Sequence, residues 1–198
     1  MISFTQVFFL SLFLLFLPLI VAQEIDETHL IYRDNLAYDG RTGEILNGKV
    51  MKKSDLGSVL ESRTYKDGLP DGLWQWYTET GLMAEKGVYR AGLRDGEWEW
   101  FYESGTLRKK GKFVDDKENG PWEEYHEDGK LKKKGNFIYG DLDGMLQEFR
   151  ESGRLKQQGG YLAGQKDGEW EHFDRIGRLV RTDTYIDGEL VDCKGACD

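Results

Sequence analysis

Three series of glycines run through this chain at a fixed interval of 24 residues, and that interval limits the possible folds more than any other feature. Gly72, Gly96, Gly120, Gly144 and Gly168 form the first, four of them preceded by Asp71, Asp95, Asp143 or Asp167 and one by Asn119. Gly81, Gly105, Gly129, Gly153 and Gly177 form the second. Gly87, Gly111, Gly135 and Gly159 form the third, which ends where Asp183 stands in place of glycine. A chain with such a period is an array of small units, each of which buries its apolar face only by stacking on its neighbours.

The apolar positions keep the same interval. Trp74, Trp98, Trp122, Leu146 and Trp170 share one slot, and Tyr77, Phe101, Tyr125, Phe149 and Phe173 another. Met83, Leu107, Leu131, Leu155 and Leu179 fill a third; Tyr89, Phe113, Phe137, Tyr161 and Tyr185 fill a fourth. One period earlier stands a degraded copy, marked by Gly48, Val50, Gly57, Val59, Tyr65 and Gly68, as expected of a capping repeat. The array therefore spans 47–191, about six units. Residues 23–46 read as a lead-in with one strand near Leu36 to Tyr38, and 192–198 as a tail.

Each unit reads as a β-hairpin: two apolar-rich runs around a turn such as "ESGT" or "EDGK". No helix is expected, because glycine interrupts every stretch long enough to form one. The Asp-Gly or Asn-Gly step is expected to turn the chain into the next hairpin. The predicted fold is all-β, tandem 24-residue hairpins forming an extended, twisted antiparallel meander sheet. Outgoing strands are acidic (Glu97, Glu99, Glu103) and return strands basic (Arg108, Lys109, Lys110, Lys112), a pattern that suits cross-strand ion pairs. Two registers are open. A two-residue turn at Ser104-Gly105 sets Glu99 against Lys110 and Trp98 over Gly111. A three-residue turn with a glycine bulge sets Phe101 against Leu107 and sends Trp98 to the other face.

The ends differ from the array. Residues 1–22 carry no charge, and Val7 to Ala22 is apolar apart from Ser11. That run of 16 residues is shorter than the roughly 20 that span a bilayer. It reads as a signal peptide cut after Ala22, placing the protein in a secreted or periplasmic compartment. The alternative is an uncleaved anchor, the only expected route to a membrane. The net charge of −9 argues against nucleic acid as a partner. Cys193 and Cys197, the only cysteines, are expected to bridge or to stay as thiols, since a zinc site would lack its other ligands.

The order G-x-W-x-x-Y/F, three residues, G-x-L, three residues, G-x-Y/F resembles the variant MORN repeat. It is written most fully as "GEWEWFYESGTLRKKGKF", and again as "GPWEEYHEDGKLKKKGNF" and "GEWEHFDRIGRLVRTDTY". The resemblance covers about 145 residues; Leu146, Asp116 and Asp183 depart from it. It implies a scaffold that binds other proteins, sometimes near membranes. Bacterial proteins of this kind resemble a group labelled as antitoxin components.

No catalytic set stands out. His29, His126 and His172 are scattered, Ser104 and Ser152 lie at turns, and the acids recur with the repeat. "DLDG" at Asp141 to Gly144 lacks the further ligands of a calcium loop. No enzyme, metal or cofactor is expected. All six tryptophans fall on outgoing strands. Trp74, Trp98, Trp122 and Trp170 are assigned to the core between units; Trp76 and Trp100 fall outside the repeated slots and, with Tyr102, are the candidate binding residues. The expected function is a non-enzymatic scaffold for a protein partner, antitoxin-like in its finer form. The alternative is an envelope- or carbohydrate-binding surface module.

Overall fold

The glycine and aromatic slots become paired strands in the computed structural model, which describes residues 24–197; the expected signal peptide at 1–22 lies outside the described residues. Ahead of the array, β1 (Glu24–Asp26) leads through a 3-10 turn (Glu27–His29) into a hairpin of β2 (Leu30–Arg33) and β3 (Leu36–Asp39). The array begins with β4 (Gly48–Lys53) against β5 (Val59–Lys66), then β6 (Leu69–Pro70) and β7 (Gly72–Tyr77) against β8 (Met83–Arg90). It continues with β9 (Leu93–Phe101) against β10 (Leu107–Val114), then β11 (Lys117–Glu118) and β12 (Gly120–Tyr125) against β13 (Leu131–Ile138). Next come β14 (Asp141–Leu142) and β15 (Gly144–Phe149) against β16 (Leu155–Leu162), β17 (Gln165–Phe173) against β18 (Leu179–Ile186), and finally β19 (Glu189–Gly195). The fold is all-β, a long meander of hairpins that does not close into a barrel. From β4 onward the pairing is antiparallel; β1 runs parallel to β4.

Each hairpin of the array takes the three-residue turn at its tip and then recovers the register of the two-residue turn, so Trp98 does not pass to the other face. At the β9–β10 tip the Tyr102 amide donates to the Thr106 carbonyl and the Gly105 amide to the Tyr102 carbonyl, each at 2.8 Å. Gly105 takes φ 83°, closing a type I turn in the left-handed region. Phe101 therefore faces Leu107. Arg108 is then an extra residue, and the strands recover the register Lys109–Trp100, Lys110–Glu99, Gly111–Trp98. The extra residue recurs as Leu60, Ala84, Lys132, Lys156 and Val180.

The turn between hairpins is not at the Asp-Gly step expected. It is a two-residue turn four positions earlier, as at Ala91-Gly92 between paired Arg90 and Leu93. Both central residues have positive φ, 47° and 90° there, as a type I′ turn requires. Asp71 instead separates β6 from β7, and Gly72, the first residue of β7, lets the outgoing strand bulge at φ 97°. The preceding acid or amide has another task. Asn47, Asp71, Asn119 and Asp143 accept the backbone amides of Asp67, Ala91, Tyr139 and Ala163, at 2.8–3.3 Å. Each side chain thus holds the turn of the following unit.

A one-layer sheet buries its tryptophans by laying each flat on a glycine. Trp98 is 2 % exposed. Its floor is Gly87, where a Cβ would lie 2.1 Å from the indole. Tyr89 and Phe113 wall it edge-on, with ring centroids 5.2 and 5.8 Å away. Its Nε1 donates to the Val88 carbonyl at 3.2 Å, and Trp74 and Trp170 donate likewise to Thr64 and Gly160. The expected seat over Gly111 is corrected: Trp98 is in register with Gly111 and Gly87 alike, but it leans to the earlier strand, and Gly111 receives Trp122. Each such indole removes roughly 200 Å² from water, an upper bound of about 5 kcal/mol. Where the slot holds Leu146, the neighbouring Leu142 fills space over Gly135. On the last strand the residue in register with Asp183 is Cys193, so no ring needs a floor there. Asp183 takes the glycine's place, buried and bonded to His172 Nε2 at 3.0 Å and Arg181 Nε at 2.6 Å. Burial pushes the Asp183 carboxyl up, but those two partners outweigh it and hold it below the usual range.

The lead-in is more than one strand. β3 covers the predicted Leu36 to Tyr38, but β1 and β2 precede it, and Ile25, Ala37 and Leu46 bury against Val50, Tyr65 and Trp74. Three backbone bonds tie it down: the Ala37 amide to the Gly68 carbonyl, Gly68 to Leu46, and Leu46 to Ala37, at 2.8–2.9 Å. Arg63 occupies the third glycine slot of this first unit, pairs with Glu27, and lies 5.8 Å from the Trp74 ring.

Candidate interaction surface

Alternation along β7 and β9 puts Trp74, Trp76, Trp98 and Trp100 on one face. They form a continuous row that ends on Trp122, with successive centroids 5.7, 5.9, 5.9 and 5.7 Å apart. The candidate residues Trp76 and Trp100 thus lie between core tryptophans, partly exposed and packed against them. In later units the same slot holds Glu124, Glu148 and His172, in unchanged register. Long cations lie on the rings: Arg94 over Phe113 at 3.9 Å, Lys109 over Trp122 at 4.4 Å and Lys166 over Trp170 at 4.1 Å. The charged ends themselves sit over the ring faces, and Arg94 also pairs with Asp116 at 2.9 Å and Lys109 with Glu118 at 3.7 Å. Glu85, half-buried and paired in register with Trp100, has its carboxyl pushed up by burial.

The third candidate, Tyr102, sits at a hairpin tip and acts as a staple. Its hydroxyl donates to the Tyr125 carbonyl of the next unit at 2.7 Å. One period on, His126 Nε2 meets the Phe149 carbonyl at 3.1 Å; one further, Arg150 Nη2 donates to the Phe173 carbonyl at 2.7 Å. Tyrosine, histidine and arginine share only a donor of sufficient reach, so no apolar or glycine pattern marks the slot. His126 and His172 accordingly occupy different slots, a tip and a strand.

On the opposite face the acidic and basic strands pair, but between units. Lys86 Nζ reaches Glu99 at 2.7 Å and Lys110 Nζ reaches Glu123 at 2.8 Å. The row continues through Gln147 to Gln158 and Gln158 to Glu171. Glu99 faces Lys110 in register, yet each bonds outward, so the charge pattern ties hairpin to hairpin. The glycines of the second series stay at the tips; Gly81, Gly105, Gly129, Gly153 and Gly177 all have positive φ. Cys193 and Cys197 are joined by a disulfide at the last strand, with Cα atoms 6.1 Å apart. Ser104 Oγ bonds Thr106 within its own turn. Among the described residues no three His, Cys, Asp or Glu side chains are grouped to hold a metal, and no helix is long and apolar enough to cross a membrane.

The family described as the MORN repeat variant matches residues 94–115 and 118–139, two adjacent units of the array. Among curated proteins none matches the chain. Solved structures give weak likenesses. A TarM variant from S. aureus, in complex with fondaparinux, α-GlcNAc-glycerol and UDP, has a TM-score of 0.33 and 11 % identity over 48 % of this chain and 19 % of that one. A second TarM structure has a TM-score of 0.32 at 11 % identity, with the same coverage. A GtfA/B complex bound to UDP and GlcNAc has 0.23 at 12 % identity, over 64 % of this chain and 22 % of that one. The chain spans about a fifth of the length of the structures it matches.

Proposed function

We propose that this chain, whose units at 94–115 and 118–139 are variant MORN repeats, is a non-enzymatic scaffold that binds a protein partner on its aromatic face. MORN repeats generally bind proteins or membranes. One observation carries the reading: the slot of Trp76 and Trp100 passes to Glu124, Glu148 and His172 without any change in strand register. Folding does not dictate that residue, so recognition is free to use it. Partly exposed indoles on a rigid sheet lose little entropy when a partner covers them, which suits interface anchors. With residues 1–22 removed as a signal peptide, the protein acts in a secreted or periplasmic setting, where its disulfide persists. In the antitoxin-like form, the preformed sheet occludes the partner's own active site.

Affinity capture with the full chain from its native extract tests this. Replacing Trp76 and Trp100 together with Ala lowers retention of the partner by about tenfold or more while the variant still melts cooperatively. Unchanged affinity with a large loss of stability would return both residues to the core. Tryptophan fluorescence stays flat on titration with soluble glycans; a saturable shift would favour the carbohydrate-binding alternative.

A further inference from the structure

Beyond Trp122 the margin of the aromatic face changes character. Glu124 and Glu148 stand where earlier units carry Trp76 and Trp100, and the smaller side chains leave two shallow grooves beside the hairpin tips. One, of about 490 Å³, is lined by Tyr102, Arg108, Lys109, Glu124, Tyr125 and Lys132. The next, of about 510 Å³, shares Glu124 and Lys132 and adds His126, Lys133, Arg150 and Lys156 to its rim. The shared residues make them one trough across the hairpins β9–β10, β12–β13 and β15–β16.

The chain is acidic overall, yet here the charge reverses. Arg108, Lys132 and Lys156 are the extra residues of three consecutive hairpins, all exposed, and all line the trough. Lys156 pairs with Glu148 at 3.3 Å, whereas Lys132 and Lys133 make no ion pair among the described residues. Their spacing has a counterpart. Equivalent residues lie two strands apart, and strands lie about 4.8 Å apart, so these cations recur at about 9.6 Å. A polyproline-type segment rises about 3.1 Å per residue and returns to the same side every third residue, about 9.3 Å on.

We propose that the trough holds an extended acidic segment of the partner protein, with carboxylates at every third residue against Arg108, Lys132 and Lys156. The segment crosses the strands, so it adds nothing to the sheet ladder, and a polyproline backbone needs no such partners. Glu124 and Glu148 in the trough can accept its backbone amides. A continuous anionic surface such as a lipid headgroup layer would meet those two carboxylates as like charge. The proposal rests on the protein-binding reading above and adds to it a site and a chemical class of ligand.

The test uses the full chain and labelled proline-rich peptides of one length and composition, each with three Glu set two, three or four residues apart, followed by fluorescence anisotropy. The period-three peptide is expected to bind about tenfold more tightly than either isomer, and Lys132→Glu to weaken it by about tenfold. Lys112→Glu, on the other face, changes binding by less than about twofold, and circular dichroism reports whether each variant keeps its fold. Equal binding of the three peptides, or binding indifferent to Lys132→Glu, would overturn the proposal. So would anionic vesicles whose capture of the chain depends on Lys132 while the peptides fail to bind. A natural partner lost on Trp76 and Trp100 replacement but kept by Lys132→Glu would sink the trough and leave the scaffold reading standing.

Discussion

A glycine of the third series is a seat for a ring. At Gly111 a Cβ would lie 2.1 Å from the Trp122 indole, while at Gly105 nothing lies within 4 Å and only φ 83° resists a side chain. Gly111→Ala is therefore expected to cost about 3 kcal/mol in urea denaturation, against about 1–2 kcal/mol for Gly105→Ala. Trp122→Leu in the Gly111→Ala background should recover part of the loss, since Leu146 already sits over Gly135. Asp39 is a different kind of residue-scale device. It is buried and accepts from the Arg41 side chain (Nε 3.0 Å, Nη2 2.6 Å) and the Arg41 amide at 2.9 Å. The Arg41 side chain holds its carboxyl down to about 2 despite burial. A folded value below the unfolded one, about 3.9, gives stability that is complete above that pH and is lost as pH falls towards the folded value. Asp39→Asn should flatten the acid limb of the stability curve between about pH 4 and 2, followed by thermal melts.

At the scale of the hairpin, sequence patterns were good at finding strands and poor at choosing among turns. "KDGLPDG" contains two steps of identical turn chemistry, Asp67-Gly68 and Asp71-Gly72. Both glycines have positive φ, and only strand pairing shows that the first reverses the chain and the second bulges it. The tip register was open for a similar reason: an extra residue after the turn joins the tip of one alternative to the strand register of the other. The staples were illegible because Tyr102, His126 and Arg150 have nothing in common but a donor. Tyr102→Phe is expected to lower stability by about 1 kcal/mol in denaturant melts, the worth of one hydrogen bond, and to change partner affinity by less than about twofold, since the ring that lines the trough is kept and only the hydroxyl engaged with the Tyr125 carbonyl is lost. A loss of affinity without a loss of stability would make the hydroxyl a contact of the partner and not a staple.

For the molecule as a whole, stability is a chain of nearest-neighbour contacts with no central core. The lead-in closes one end of that chain by burying Leu46 at 1 % exposure with Ala37, Val50 and Trp74. Leu46→Ala should cost about 3 kcal/mol at that end. Hydrogen exchange should show protection lost across β3 to β7 and retained in β16 to β18. Loss spread evenly over the array would mean that the units fold as one cooperative body.

What the amino-acid order alone determined was the unit: its 24-residue length, its two strands, its indole and its glycines. Each of these is a local demand, for positive φ at a tip or for alternation along a strand, and repetition made it visible. Only the tertiary structure decided how units meet. Trp98 stands in register with a glycine on either side, and the lean of the side chain, not the spacing, chooses Gly87. The same holds for Lys86 reaching Glu99, for the lead-in over Trp74, and for the trough along Arg108, Lys132 and Lys156. These contacts join residues from different strands, and strand twist sets which side chains come within reach.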